Sequence, residues 1–137
     1  MTERFTPTPE GRVIETPTSK NWIDASGVVW NWVNSDHDIM LTDAKEIVAA
    51  QHELAGGRSF CLLVVLPEDV GLTHEARAYF NSTAATMNLL AFAFLARSRV
   101  ARMVGNLFLR LIRPPVPMRL FTDHEEALLW LRGFVSK

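Results

Sequence analysis

Glu68, Asp69, His74 and Glu75 bring three carboxylates and an imidazole within a short stretch of chain, on either side of the loop after Pro67. A carboxylate pair facing a histidine does general acid–base work when burial tunes the pKa values toward the working pH. The same residues also describe a polar loop leading into a helix whose first turn favours negative charge. Asp36-His37-Asp38 offers three metal-ligand types in a row. Adjacent ligands rarely wrap one ion unaided, so this run reads as a solvated turn and no metal is expected. Cys61 is the only cysteine, which excludes an intrachain disulfide and a Cys-rich zinc site. No serine sits in G-x-S-x-G, and nothing matches a phosphate loop or a dinucleotide fingerprint. Gly56-Gly57 followed by Arg58 is a helix stop. No catalytic set and no cofactor follow from these residues, and a non-enzymatic protein is the expectation.

Charge is distributed more tellingly. Between Ala76 and Thr122 there is no Asp or Glu, while Arg77, Arg97, Arg99, Arg102, Arg110, Arg113 and Arg119 all fall there. At about 100° per residue, Arg99, Arg102, Asn106, Arg110 and Arg113 share a sector of roughly 80° on one helix, opposite Val100, Val104, Leu107, Phe108 and Leu111. Arg110 and Arg113 suit a helix C-terminus, but Arg99 and Arg102 oppose the dipole at its start. Three uses of this face stand open: pairing with acids of a neighbouring helix such as Glu125 and Glu126, contact with an acidic protein partner or an anionic small ligand, or contact with an anionic membrane surface or nucleic acid. The formal net charge of -1 and the lack of interleaved exposed aromatics argue against general nucleic-acid binding.

These residues need a scaffold, and the chain is long enough for one. Its 137 residues, 48% hydrophobic and 21% charged, match a single globular domain with an adequate core. The longest apolar run, Leu89 to Ala96, falls far short of the ~20 residues that span a bilayer, and the N-terminus lacks a signal-like apolar core. A cytoplasmic location without a transmembrane segment is expected. Pro7, Pro9 and Pro17 among Thr2, Thr6, Thr8 and Thr16 predict a mobile arm over residues 1–17, with Val13 and Ile14 able to add a short edge strand. From residue 18 a single α/β domain is expected. Strands end at Trp22-Ile23 and run over Val28–Val33, joined by an Asp24–Gly27 turn. Thr42 is the expected cap of a first helix stopped by Gly56-Gly57. Strands at Phe60–Leu66, Leu89–Leu95 and Met118–Phe121 alternate with helices capped by Thr73, Ser98 and the Thr122–Glu125 box. The order is β-β-α-β-α-β-α-β-α, a mixed sheet in which strands separated by single helices pair in parallel through right-handed crossovers.

Side chains alternate across a strand, so Trp30 and Trp32 share one face of theirs, and Phe92 and Phe94 share one face of theirs. If most helices lie on one side of the sheet, these four aromatics need another cover. A homodimer through Trp30, Trp32, Phe92 and Phe94 is the resulting expectation. Cys61, within an apolar strand, reads as a buried small hydrophobe.

A hairpin followed by three αβ units and a final helix resembles the STAS domains, the fold of anti-sigma-factor antagonists. Thr73-His74-Glu75-Ala76-Arg77, Gly105-Asn106-Leu107-Phe108, Pro117-Met118-Arg119-Leu120-Phe121-Thr122 and Ala127-Leu128-Leu129-Trp130-Leu131 are similar to small bacterial STAS/SEC14-like proteins of unknown function. The resemblance spans roughly residues 20 to 135. It implies a STAS-like mixed sheet with helices largely on one face, and a regulatory or protein-interaction role. It also implies a phospho-switch at the start of the helix after the third strand. Thr73 stands there, although Leu72 precedes it and His74-Glu75 follow in place of the usual Asp-Ser-x-Gly neighbourhood; an ordinary N-cap explains it equally well. The SEC14-like label implies instead a binder of an anionic small molecule or lipid head group.

Overall fold

The computed structural model describes residues 7–65, 67, 70–96 and 116–135. Six strands form one sheet whose spatial order follows the sequence: β1 (Ile14–Thr16), β2 (Ser19–Ile23), β3 (Val28–Val33), β4 (Phe60–Val65), β5 (Leu89–Leu95) and β6 (Met118–Phe121). The first three pair antiparallel, and β3 through β6 pair in parallel. The helices are α1 (Leu41–Ala55), α2 (His74–Phe80), α3 (Thr83–Thr86) and α4 (His124–Val135). This is the expected mixed α/β sheet.

Asp24 makes the β2–β3 turn. Its Oδ1 accepts from the Ser26 N–H at 2.9 Å, the Ser26 hydroxyl at 2.6 Å and the Val28 N–H at 3.1 Å, while Oδ2 accepts from the Trp30 indole at 2.9 Å. Gly27 takes the positive φ of 89° that the turn requires. Trp30 then lies parallel to Trp22, with ring centroids 5.5 Å apart.

At the end of the Pro-rich segment the short edge strand foreseen at Val13 and Ile14 is present as Ile14–Thr16. Its anchors are tertiary. Asn21 Nδ2 donates to the Ile14 carbonyl at 3.2 Å, the Thr16 and Ser19 hydroxyls meet at 2.8 Å, and Arg12 forms an ion pair with Glu53 of α1. Asn21 is itself held by the buried Asn31, whose Nδ2 donates to Asn21 Oδ1 at 2.6 Å. Burial of these amides is tolerated because they bond one another.

The first helix begins before its expected cap. Met40 is the N-cap, and the Asp43 carboxylate reaches back to accept its N–H at 3.0 Å. Thr42 is an exposed residue inside the helix. Gly56, at φ 61°, closes α1 with its N–H on the His52 carbonyl. Thr73 caps α2 as expected, accepting from the Ala76 N–H at 3.2 Å, but α2 stops at Phe80 and Ser82 caps the separate turn α3.

The strand register sets which side chains share a face. Trp30 pairs with Leu63 and Leu63 with Ala93, whereas Val29 pairs with Leu62 and Leu62 with Phe92. One face therefore carries Trp22, Trp30, Cys61, Leu63, Ala91 and Ala93 under α4, whose Ala127, Leu128 and Leu131 point inward. The other carries Val29, Val33, Leu62, Val64, Phe92 and Phe94 against α1, α2 and α3. The expectation of one aromatic dimer face is thereby corrected. Trp30 and Trp32 lie on the opposite side of the sheet from Phe92 and Phe94, because the parity of β5 relative to β3 is fixed by their common partner β4.

Candidate functional site

Parallel strands bring their carboxyl ends to one edge, where open α/β sheets place binding loops. Here the loop between β3 and α1 meets the loop between β4 and α2. Ile39 donates its N–H to the Gly71 carbonyl at 2.9 Å, and Thr73 donates its N–H to the Ile39 carbonyl at 3.0 Å, forming a short parallel bridge with Leu72. The Asp38 carboxylate accepts from the Gly71 N–H at 3.0 Å. A Cβ added to Gly71 would come within 3.3 Å of that oxygen, so the close approach suits glycine. Ile39 is buried, and it anchors the rim from beneath.

Above this anchor the side chains are polar and exposed. His37 Nδ1 lies 2.8 Å from the Asp38 carbonyl and 3.9 Å from Asp43 Oδ2. The Asp38 carbonyl raises the His37 pKa above its ordinary 6.5; desolvation opposes it, and the carboxylates of Asp43, Asp36 and Asp38 add smaller upward contributions. Thr73 is half-buried, with its hydroxyl oxygen engaged by the Ala76 N–H. His74 and Glu75 are both exposed on the first turn of α2. They belong to the same rim as Asp36, His37 and Asp38.

Two sets of expected residues fall elsewhere. Glu68 and Asp69 of the polar cleft lie outside the described residues, as do Arg99, Arg102, Asn106, Arg110 and Arg113. The structure thus joins Thr73, His74 and Glu75 to the Asp36–Asp38 loop, a grouping not expected from the sequence. The available signal was Ile39, a β-branched residue that ends the polar run Asn34–Asp38, matched by Leu72 in the other loop. Among the described residues no group of three or more His, Cys, Asp or Glu side chains is placed to hold a metal ion, and no described helix is long and apolar enough to cross a membrane.

A rim of this kind offers carboxylates, a histidine biased toward its charged form, and a threonine hydroxyl at a helix start. Phosphate on Thr73 would add about two negative charges beside Asp38 and Glu75, where like charges repel. The arrangement can therefore change its surface potential through a single modification.

The model of the family described as "Domain of unknown function (DUF7793)" matches residues 21–135. Among solved structures, the chain is similar to an uncharacterized protein of the DUF3478 family with a SpoIIAA-like fold from Shewanella loihica PV-4. The two share 13% identity at a TM-score of 0.61, over 88% of this chain and 99% of that one. The likeness shows a SpoIIAA-like, hence STAS-like, fold. No curated protein matches the sequence.

Proposed function

We propose that this chain, which belongs to the DUF7793 family, is a non-enzymatic STAS-like regulatory module that docks a protein partner on the carboxyl-end rim, with Thr73 as its switch. The observation that carries this reading is the Ile39–Leu72 bridge, which holds Thr73 and the Asp36–Asp38 loop in one surface before any partner arrives. A prepaid loop geometry lowers the ordering cost of docking. The exposure of His74 and Glu75 favours surface contact over acid–base catalysis, which needs burial to tune its groups. Strand β5 ends at the same edge, and the arginines of 99–113, which lie outside the described residues, are proposed as a further contact for acidic groups of the partner.

Affinity capture from the source cells compares wild type with Thr73→Ala, Thr73→Glu and the pair Arg102→Glu with Arg110→Glu. One stoichiometric protein species is expected with wild type and Thr73→Ala, at least tenfold less with Thr73→Glu, and less with the arginine reversals. Equal capture by Thr73→Glu, or no species above an unrelated control chain, overturns the reading. The acid-free stretch from Ala76 to Thr122 favours a second reading, the binding of an anionic small molecule or lipid head group. A saturable thermal shift with inositol phosphates, lost in the arginine reversals, distinguishes it. A homodimer stays part of the proposal without the shared aromatic face that prompted it, and sedimentation at micromolar concentration decides it.

A further inference from the structure

Between α1, the α2–α3 turn and strands β3 to β5 lies a cavity of about 70 Å³. Its walls are apolar, with Ile47, Leu62, Val64 and Phe92 among them, and no charged side chain lines it among the described residues. Three carboxamides interrupt this surface, and Asn81 spends its Nδ2 on the Arg77 carbonyl at 3.1 Å. Gln51 is 4% exposed and makes no hydrogen bond among the described residues. Asn31 spends its Nδ2 on Asn21, and its own oxygen has no partner among the described residues.

Gln51 and Asn31 are not sealed off, as Thr18 Oγ1 and His52 Nε2 are, so their free polar atoms face space that a water or a ligand can occupy. Gln51 is the amide on a face of α1 that otherwise turns Ala44, Ile47, Val48 and Ala55 inward. The cavity therefore has the two properties of a ligand site: space bounded by apolar groups, and a few convergent polar groups to orient what enters. We infer that it binds a small uncharged molecule, apolar except for one hydroxyl or amide that bonds Gln51. A charged ligand is disfavoured because no counter-charge lines the site among the described residues. Size sets a second bound, because an engineered cavity of roughly 150 Å³ takes benzene. About half that space suits a branched group of four or five heavy atoms. This inference concerns the helix-covered interior and is independent of docking at the rim.

Methyl-resolved NMR of the full chain tests it with isobutanol, isobutyrate and xenon as probes. Isobutanol is expected to shift the Ile47, Leu62 and Val64 methyls saturably. Gln51→Leu should weaken isobutanol about tenfold while xenon still shifts the same methyls, and Gln51→Met repeats the comparison if the first variant folds poorly. Non-saturable shifts, or equal isobutanol affinity in both variants and wild type, overturn the site and leave a cavity that holds water only. Isobutyrate binding as tightly as isobutanol overturns the uncharged class.

Discussion

Replacing Asp24 by Asn changes one atom of a side chain that accepts four hydrogen bonds. Three of them, from Ser26 N–H, Ser26 hydroxyl and Val28 N–H, converge on Oδ1, and the Trp30 indole donates to Oδ2. Either orientation of the new amide sets its NH2 against a donor: the indole in one, the turn's own N–H groups in the other. A hydrogen bond to a charged acceptor contributes about 1.5–3 kcal/mol net. Asp24 is half-buried, so about 2 kcal/mol is the expected loss. For a chain of this length that lowers the melting temperature by roughly 8 °C. Trp30→Phe keeps the ring against Trp22 while removing the N–H, which permits a double-mutant cycle. The cycle should show a coupling of about 1 kcal/mol, because Asp24→Asn has less to lose once the indole donor is gone. Urea unfolding of the four proteins measures it. Additivity within about 0.5 kcal/mol, or an Asp24→Asn loss below that value, refutes the assignment of Asp24 as the organiser of the turn. The turn lies at the amino end of β3 and the rim at its carboxyl end, so partner capture by Asp24→Asn below its melting temperature should match wild type.

His37 should titrate above 6.5 by NMR, and Asp43→Asn should lower its pKa without abolishing the elevation, since the Asp38 carbonyl remains. The stabilisation from its proton is present below pH 6.5 and fades as the pH rises through the higher folded-state value; an unaltered pKa in Asp43→Asn contradicts the contact. Burial pushes the Cys61 thiol up to about 11, partly opposed by a backbone hydrogen bond at Ala91. Iodoacetamide at pH 8 should therefore leave native Cys61 unmodified and alkylate it in urea, and rapid native labelling contradicts that burial.

The strands β3, β4 and β5 were legible because each is a run of β-branched, aromatic or other apolar residues bounded by turn formers, and Thr73 was legible as a cap by its place before His74-Glu75. Features that depend on contacts distant in sequence were not. The edge strand near Ile14 was open to the sequence, but its anchoring, with Asn21 Nδ2 on the Ile14 carbonyl, was not. Met40 has no side-chain oxygen to announce a cap, because Asp43 supplies it from within the helix. Period-two alternation places Phe92 with Phe94 but cannot relate them to Trp30, a relation carried by the register of β4 and its irregularity between Phe60 and Cys61. Gln51 escaped notice because a polar residue in a helix ordinarily marks the wet side. Of the rim, Thr73, His74 and Glu75 were readable locally, while their union with Asp38 needed a two-residue bridge between separate loops.

The placement of α4 has a consequence for synthesis. Among the described residues it is the helix that covers the Trp30–Cys61–Ala91 side, and it follows all six strands in the chain. Strands laid down in order of translation can assemble as they leave the ribosome, with α1, α2 and α3 available to their own side, but among the described residues no helix covers the opposite side until residues 124–135 emerge. During that interval the nascent chain presents a broad greasy slab, the surface that holdase chaperones grip. A chain cut before His124 would keep that side uncovered, so these twelve residues guard against self-association more than their number suggests.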